Sequence, residues 1–214
     1  MLEHLQADYP EVILASGSAA RAAILASAGI RFRQQPSMID EEEEHKQFTS
    51  GTSPSALALS LAQLKADAVL KSQPDAIVIG GDQVLAVGGE ILQKPGSQEE
   101  ARKQLLKLRG RTHELHTAAV VLTKSHAASF TDVVTLKVRD FSDKFFDCYL
   151  DMCGEGVLTS VGAYHIEGLG IHLFSEIKGD YFTILGLPLM AVLDFLRRHG
   201  CLATWACNAP SSFA

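Results

Sequence analysis

The strongest constraint on the fold is a short apolar run at residues 77–79, followed by Gly80, Gly81 and then Asp82. Three consecutive β-branched residues with no polar alternation favour a strand that is covered on both faces, as in the sheets of α/β proteins. The two glycines allow backbone or a ligand to come close. Asp82 is therefore predicted to lie at the end of a rigid element, although an aspartate in an exposed loop fits this segment equally well.

A hairpin is predicted directly after this strand. Residues 84–87 and 90–93 are separated by the glycine pair 88–89, and a two-residue Gly-Gly loop supplies the positive φ angles of a type I′ turn. A carboxylate and a lysine displayed on one hairpin suit a metal-assisted phosphate site, with Asp82 near the attacking water and Lys94 near a phosphoryl oxygen. The hairpin alone favours the simpler interpretation of Lys94 as a surface lysine.

Composition limits the classes of function. The chain has 214 residues, of which 47% are hydrophobic, so it can bury a core as one large domain or as two closely packed lobes. It contains no apolar run of membrane-spanning length and no basic leader followed by an apolar segment, so a cytoplasmic location is expected. The formal net charge of −6 disfavours a broad basic surface for nucleic acid. A polyanionic substrate would therefore need a small site with a few cations and a divalent ion.

The cysteines and histidines do not indicate a metal site or a disulfide framework. The cysteines lack paired C-x-x-C spacing and are interpreted as free thiols: Cys148, Cys153, Cys201 and Cys207. His113 and His116 are close in sequence, but the alternation around them predicts a strand. A three-residue spacing on a strand places the two side chains on opposite faces.

An anion-binding helix terminus is predicted near the start of the chain. Residues 11–15 have the pattern of a strand, and a tight turn at residues 16–18 leads into a helical stretch over residues 19–28. Ser18 is placed to cap this helix, which leaves free backbone N–H groups in the first turn, where Arg21 also lies. A capped helix with a surface arginine explains the same residues, so this segment alone leaves both interpretations open.

The rest of the chain predicts further helices and strands. Helices are predicted over residues 54–68, 97–108, 142–150 and 188–198, and strands over residues 30–34, 117–122, 133–138, 171–177 and 181–185. Lys65, on the first of these helices, is interpreted as reaching either a pocket or water. The glycine-dense loop 162–170 carries Glu167, and such loops often hold the edge of a ligand. Residues 203–214 show no periodicity, so a single domain over residues 1–202 and a flexible C-terminal tail are predicted.

Taken in order, these segments resemble the Maf family of nucleoside triphosphate pyrophosphatases. The resemblance extends from Val12 to about Gly200 and rests on a series of short motifs: residues 14–18 (LASGS) with Arg21, Asp40, 61–66 (LAQLKA), 81–84 (GDQV), 89–95 (GEILQKP), 162–164 (GAY), Glu167 with Gly168, and 186–189 (GLPL). It implies a mixed, twisted α/β sheet with helices on both sides and two lobes that enclose a cleft. It also implies hydrolysis of a nucleoside triphosphate to the monophosphate and pyrophosphate with Mg²⁺ or Mn²⁺, by a protein that in this family is often a homodimer.

The same resemblance implies roles for individual residues. Asp82 matches the family's proton acceptor and Asp40 matches an acidic residue of the same site, so these two carboxylates are the expected metal ligands. The residues that match phosphate-binding positions are Ser18, Arg21, Lys65 and Lys94. The family's usual first turn is Ser-Pro-Arg-Arg, whereas this chain has Ser-Ala-Ala-Arg at residues 18–21 and retains only the second arginine.

The positions that match the family's specificity determinants are Ala20, Gln83 and Glu167. The branch that acts on dTTP and UTP has Arg, Thr and Gln there, and the branch that acts on 7-methyl-GTP has Trp, Gln and Glu. Gln83 and Glu167 match the second branch, and a carboxylate accepts hydrogen bonds from the N–H groups of guanine. Ala20 lacks the aromatic ring that a cationic base prefers, and the loop 179–181 resembles the first branch. A guanine-type triphosphate is therefore expected, with dTTP or UTP hydrolysis, or noncatalytic nucleotide binding in regulation, as alternatives.

Overall fold

The computed structural model describes residues 10–39 and 53–202. Its strands form one seven-stranded sheet: β1 (Val12–Leu14), β2 (Arg33–Gln34), β3 (Ile77–Val87), β4 (Glu90–Leu92), β5 (Thr112–Leu122), β6 (Ala127–Val138) and β7 (Phe174–Lys178). The strand order is β2-β1-β3-β5-β6-β7, and β4 pairs with β3 beside this path. β1 pairs in parallel with β2 and β3, whereas the remaining pairs are antiparallel. The mixed α/β sheet predicted from the sequence is confirmed.

The helices within these ranges are α1 (Ala19–Ser27), α2 (Pro54–Ser72), α3 (Gln98–Leu108), α4 (Asp143–Cys153), α5 (Tyr181–Ile184) and α6 (Leu189–Arg198). Short 3₁₀ turns occupy Gly154–Thr159, Val161–Ala163 and Leu169–Leu173. The predicted cap at Ser18 is confirmed, and Ser53 and Ser97 cap α2 and α3 in the same way, because each side chain accepts a hydrogen bond from the backbone N–H three residues further on. In the part of the chain that the structure describes, no helix combines the length and the apolar character needed to cross a membrane.

Both faces of the sheet are covered, which explains the continuous apolar runs of β1 and β3. On one face, α2 packs through Leu57, Leu61 and Ala66 against Ile13 and Val78. On the other face, α1 and α6 cover the parallel strands, and α3 and α4 cover the antiparallel strands. Burying one leucine side chain stabilises the fold by about 1.5–3 kcal/mol, so these clusters supply much of the driving force for folding. The predicted placement of helices on both sides is confirmed.

A gap in the strand pairing lies halfway along β3. One edge of β3 pairs with β5 from Val78 to Ala86. On the opposite edge, β1 pairs with residues 77–79 and β4 with residues 85–87, and no described strand pairs with residues 80–84. Asp82 lies in the middle of this open segment. The predicted strand therefore continues through Asp82 instead of ending before it, and the sheet holds this carboxylate on a rigid element beside an opening.

The predicted hairpin turn is confirmed, whereas one strand predicted in the last third of the chain is wrong. Gly88 and Gly89 have φ angles of 57° and 85°, so the predicted Gly-Gly turn is confirmed. The predicted strand over residues 181–185 is wrong, because these residues form the single turn α5. Asp180 caps this turn, since its side chain accepts a hydrogen bond from Thr183 N at 2.8 Å. The segment is too short for its apolar pattern to distinguish a strand from a helix.

Two further predictions concern the strand near residue 174 and the C-terminal tail. The predicted strand over residues 171–177 is displaced towards the C-terminus, since a 3₁₀ turn at Leu169–Leu173 precedes β7. The predicted tail over residues 203–214 lies outside the described residues, as does Cys207.

Candidate active site

A cavity of approximately 770 Å³ opens beside the unpaired segment of β3. Its walls come from the N-terminus of α1, Lys65 of α2, the β3–β4 hairpin, residues 159–167 and residues 184–186. The structure brings together on these walls every described residue that the sequence predicts for the site: Ser18, Ala20, Arg21, Lys65, Asp82, Gln83, Lys94 and Glu167. Asp40, the other predicted carboxylate, lies outside the described residues.

Asp82 and Lys65 form a buried ion pair on the cavity wall. Lys65 Nζ, from α2, donates to Asp82 Oδ1 at 2.7 Å, and the two side chains are 5% and 8% exposed. An ammonium ion at this distance offsets much of the cost of burying a carboxylate. Among the described residues, Asp82 Oδ2 has no hydrogen-bond donor, so this second oxygen is available to a water molecule or a cation.

The two glycines before Asp82 make room for different neighbours. A Cβ atom on Gly80 would collide with the backbone oxygen of Ala62 in α2. A Cβ atom on Gly81 would lie 3.2 Å from Cδ and Nε of Arg21. Gly80 therefore allows α2 to approach β3, whereas Gly81 leaves space for the arginine beside the cavity.

The N-terminus of α1 presents backbone N–H groups at the cavity. Ser18 Oγ accepts a hydrogen bond from Arg21 N at 3.3 Å, so this side chain acts as the helix cap. Ala19 and Ala20 line the cavity, and the N–H groups of a first turn have no partner within their helix. Such a terminus attracts anions through these N–H groups and through the helix dipole. Ser18 thus contributes to an anion site by holding the backbone that surrounds it.

Arg21 is buried in the wall and held in one orientation. Its Nε donates to Gly186 O at 2.6 Å and its Nη1 donates to Ser16 Oγ at 3.0 Å. Gly186 has a φ angle of 97°, and a Cβ atom there would lie 3.2 Å from Arg21 Nε, so a side chain at this position would disturb the guanidinium. Since arginine is always protonated in proteins, this residue places a fixed positive charge beside the cavity.

Lys94 and Glu167 are exposed residues of the same cavity. Glu167 Oε1 lies 3.6 Å from His165 Nδ1, and this contact lowers the pKa of the Glu167 carboxyl and raises the pKa of the His165 imidazole. His165 is held on its other side, where Nε2 lies 3.0 Å from both Gly156 O and Thr159 Oγ1. Glu167 is therefore an ionised hydrogen-bond acceptor at neutral pH.

A group of polar side chains that the sequence analysis missed holds Gln83. Gln83 Nε2 lies 2.9 Å from Thr117 Oγ1 and 2.9 Å from Thr183 O. Thr183 is fully buried, and its hydroxyl donates to Asp132 Oδ2 at 2.7 Å. The sequence contains one signal for this group, the polar Thr117 at the start of the apolar run 118–122. The partners of Thr117 come from distant parts of the chain and could not be identified from sequence.

A second missed feature is the buried pair of His113 and Tyr164. The Tyr164 hydroxyl lies 2.8 Å from His113 Nε2, and Tyr164 lines the cavity. Burial lowers the pKa of His113 to about 4, so this imidazole is neutral at pH 7. His116 lies on the opposite face of β5, as predicted, with Nδ1 2.7 Å from Ser55 Oγ in α2.

The fold and the cavity together define a protein with a binding site for a small phosphorylated ligand. A helix N-terminus, a fixed arginine and a lysine-paired carboxylate meet at one opening in an α/β sheet. Groups of this kind bind the phosphates of a small ligand next to a carboxylate that can take part in chemistry. The family model described as Maf-like protein matches residues 11–199. The chain therefore belongs to the Maf-like protein family.

Individual relatives agree with this assignment. The chain is 46% identical over 190 residues to a protein of Paramagnetospirillum magneticum named nucleoside triphosphate pyrophosphatase, covering 88% of this chain and 98% of the relative. It is 44% identical over 196 residues to a protein of Rhizobium meliloti named 7-methyl-GTP pyrophosphatase, covering 90% and 98%. The solved structure of the Staphylococcus aureus Ham1 protein aligns with 61% of this chain and 72% of its own, at 20% identity and a TM-score of 0.40, a likeness too distant to support a conclusion.

Proposed function

We propose that this protein is a nucleoside triphosphate pyrophosphatase, which cleaves the bond between the α- and β-phosphates of its substrate. The observation that carries the proposal is the buried Asp82–Lys65 pair in the same cavity as Arg21 and the N-terminus of α1. This combination supplies a positioned carboxylate beside fixed positive charge. The names of relatives at 44% and 46% identity support the same activity.

Asp82 is the proposed proton acceptor. Its carboxylate accepts a proton from a water molecule whose oxygen forms a bond to the α-phosphorus. The bond from the α-phosphorus to the bridging oxygen breaks, and its electron pair leaves with pyrophosphate. The products are the nucleoside monophosphate and pyrophosphate. Lys65 holds Asp82 in place through the 2.7 Å hydrogen bond to Oδ1, which leaves Oδ2 for the reaction.

Cations around the cavity stabilise the leaving group. Negative charge accumulates on pyrophosphate as the bond breaks, so positive groups that are already in place lower the barrier. Arg21 is fixed by Gly186 and Ser16, and Lys94 reaches the same cavity from the end of β4. The first turn of α1 adds backbone N–H donors.

The donor set fits a divalent cation that is shared with the substrate. Mg²⁺ is commonly held by one or two carboxylates together with substrate phosphates and water, and Asp82 is such a carboxylate. Within residues 10–39 and 53–202, no cluster of three or more His, Cys, Asp or Glu side chains could enclose a metal ion. Asp82 would thus hold Mg²⁺ or Mn²⁺ jointly with the phosphates, with Asp40 as the second expected ligand. When bound, the ion would neutralise phosphate charge and polarise a phosphoryl oxygen.

A guanine-type base is the proposed preference. Glu167 has a lowered pKa and accepts hydrogen bonds without donating any, so it suits the adjacent N–H groups of guanine. A uracil or thymine ring offers one N–H flanked by carbonyl oxygens, which a carboxylate repels. The relative from Rhizobium meliloti is named for 7-methyl-GTP, which also carries a guanine-type edge.

A product analysis tests the proposal. The purified protein is incubated with GTP, 7-methyl-GTP, UTP and dTTP, with Mg²⁺, with Mn²⁺ and with a chelator. We expect pyrophosphate and the monophosphate in equal amounts, dependent on the metal and fastest with a guanine-type base. Release of inorganic phosphate and a diphosphate would place the cleavage at the wrong bond. Binding of nucleotide without turnover would favour the noncatalytic alternative.

A further inference from the structure

Gln83 follows Asp82 on β3 and lies in the cavity wall with its amide group in a fixed environment. Gln83 Nε2 is 2.9 Å from Thr183 O and 3.0 Å from Ile184 O. Backbone carbonyl oxygens only accept hydrogen bonds, so the nitrogen end of the amide must face them. The opposite orientation would place three oxygen atoms against one another and is excluded.

A third contact fixes the direction of hydrogen bonding. Gln83 Nε2 is also 2.9 Å from Thr117 Oγ1. The Thr117 hydroxyl donates its own hydrogen to Thr183 O at 2.9 Å, so it can only accept from Gln83. The two hydrogens of the amide are therefore used by groups of the protein, and one of them is shared between acceptors.

The carbonyls that hold Gln83 are themselves held in place by the sheet. Gln83, Thr117 and Asp132 are neighbours in one row across β3, β5 and β6. Thr183, from α5, lies over this row with no exposed surface. Its hydroxyl donates to Asp132 Oδ2 at 2.7 Å and its backbone N donates to Asp180 Oδ2 at 2.8 Å. The Thr183 hydroxyl thus ties α5 to the sheet, and the Thr183 backbone oxygen accepts hydrogen bonds from Gln83 and Thr117.

The same turn of chain also orients the arginine of the cavity. Gly186 O, three residues after Thr183, accepts from Arg21 Nε at 2.6 Å. Residues 183–186 therefore supply backbone acceptors to two side chains of the cavity wall, Gln83 and Arg21. A shift of α5 would disturb both.

The geometry points to Thr117 and Thr183 as positioning residues that turn the Gln83 amide so that only its carbonyl oxygen faces the ligand. The cavity wall at Gln83 therefore accepts a hydrogen bond and does not donate one. Gln83 Oε1 has no hydrogen-bond donor among the described residues, which leaves it for a ligand. The inference rests on the proposed function, and it narrows the substrate to a nucleobase that offers a donor there. A guanine edge does so with adjacent N–H groups, whereas a base that turns a carbonyl oxygen to this point is rejected.

Paired substitutions separate a positioning role from a structural one. Thr117→Val combined with Thr183→Val removes both hydroxyls and keeps the side-chain shapes, and Thr117→Ser and Thr183→Ser retain the hydroxyls. We expect the double valine variant to reduce the ratio of kcat/KM for GTP over UTP by about tenfold, mainly through KM. Both serine variants keep the wild-type ratio. Thr135→Val is the matched control, because the Thr135 side chain on β6 makes no hydrogen bond to the described part of the chain.

A second measurement does not depend on turnover. NMR of the Gln83 side-chain amide, assigned with Gln83→Leu, reports how fast its protons exchange with water. We expect slow exchange in the wild type and in the serine variants, and fast exchange in the double valine variant. An equal loss of kcat for all nucleotides with an unchanged ratio, or fast exchange in the wild type, would overturn the inference. A wild type without pyrophosphate release would contradict the proposed function, and the exchange rates would then decide the orientation of Gln83 by themselves.

Discussion

Lys65 Nζ lies 2.7 Å from Asp82 Oδ1, and both side chains are less than one tenth exposed. This relationship links stability to the candidate active site, since a buried carboxylate without its cation is strongly unfavourable. Lys65→Met should therefore lower the free energy of unfolding by about 3 kcal/mol, measured by urea denaturation. Adding Asp82→Asn removes the buried charge and should recover part of this loss.

An exposed ion pair provides the control for the Lys65 and Asp82 substitutions. Lys124 Nζ lies 2.9 Å from Asp75 Oδ1, and both side chains are about 80% exposed. Lys124→Met should cost less than about 1 kcal/mol, because water already solvates both charges. Equal losses for the buried and the exposed lysine would mean that the Lys65–Asp82 pair contributes nothing specific.

The adjacent glycines of β3 should respond differently to the same substitution. Gly80→Ala places a methyl group against the backbone of α2 and should cost about 1–3 kcal/mol of stability. Gly81→Ala places it 3.2 Å from Cδ and Nε of Arg21, so this held side chain must shift by a few tenths of an ångström. Its cost in stability should be below about 1 kcal/mol, but kcat/KM should fall about tenfold as Arg21 shifts. Denaturation and steady-state kinetics on both variants check the prediction. A larger loss of stability for Gly81→Ala and a larger loss of kcat/KM for Gly80→Ala would contradict it.

His113 predicts a loss of stability in acid. Burial lowers the pKa of this imidazole from 6.5 to about 4. Between these two pH values the unfolded chain binds a proton that the folded protein does not. The contribution of neutral His113 to the free energy of unfolding is therefore fully present above pH 6.5 and is lost as the pH falls towards 4.

The measurement compares unfolding free energies at about pH 7 and about pH 5. The wild type should lose about 2 kcal/mol more than His113→Gln over this interval. His172→Gln, at an exposed position, should behave like the wild type. An identical pH dependence for His113→Gln and the wild type would show that His113 does not carry the effect.

Glu167 should contribute to the choice of nucleobase. Glu167→Gln replaces an acceptor with a group that both donates and accepts, so relative kcat/KM should shift towards UTP and dTTP by about 1–3 kcal/mol. The substrate panel on the unmodified protein is the control. A wild type that already prefers UTP or dTTP, or a ranking that the substitution leaves untouched, would exclude this role while leaving the hydrolytic mechanism standing.

The sequence predicted local structure where that structure depends on neighbouring residues. The caps at Ser18, Ser53 and Ser97 depend on a side chain and the three residues after it, so short-range patterns suffice. The gathering of Asp82, Lys65 and other residues in one cavity came from the resemblance to a family and not from periodicity. The roles proposed for these residues remain predictions until they are tested.

What the sequence could not supply depends on contacts between distant residues. Gly80 and Gly81 are adjacent, yet one accommodates α2 and the other accommodates Arg21, which only the packing reveals. Thr183 lies 66 positions after Thr117, and their hydrogen bond depends on α5 lying over β5. The wrong prediction of a strand at residues 181–185 made this contact impossible to foresee. A strand there would not have brought the backbone carbonyls of residues 183 and 184 to Gln83.

Asp82→Asn tests the central claim most directly. Asparagine keeps the shape of the side chain and removes its capacity to accept a proton from water, so turnover to pyrophosphate should fall by roughly two or more orders of magnitude. Asp75→Asn, at an exposed ion pair, is the matched control and should retain wild-type turnover. Both variants are assayed well below their melting temperatures, with circular dichroism to verify folding. Near-normal turnover in folded Asp82→Asn would contradict the account, because Asp82 would then not be the base.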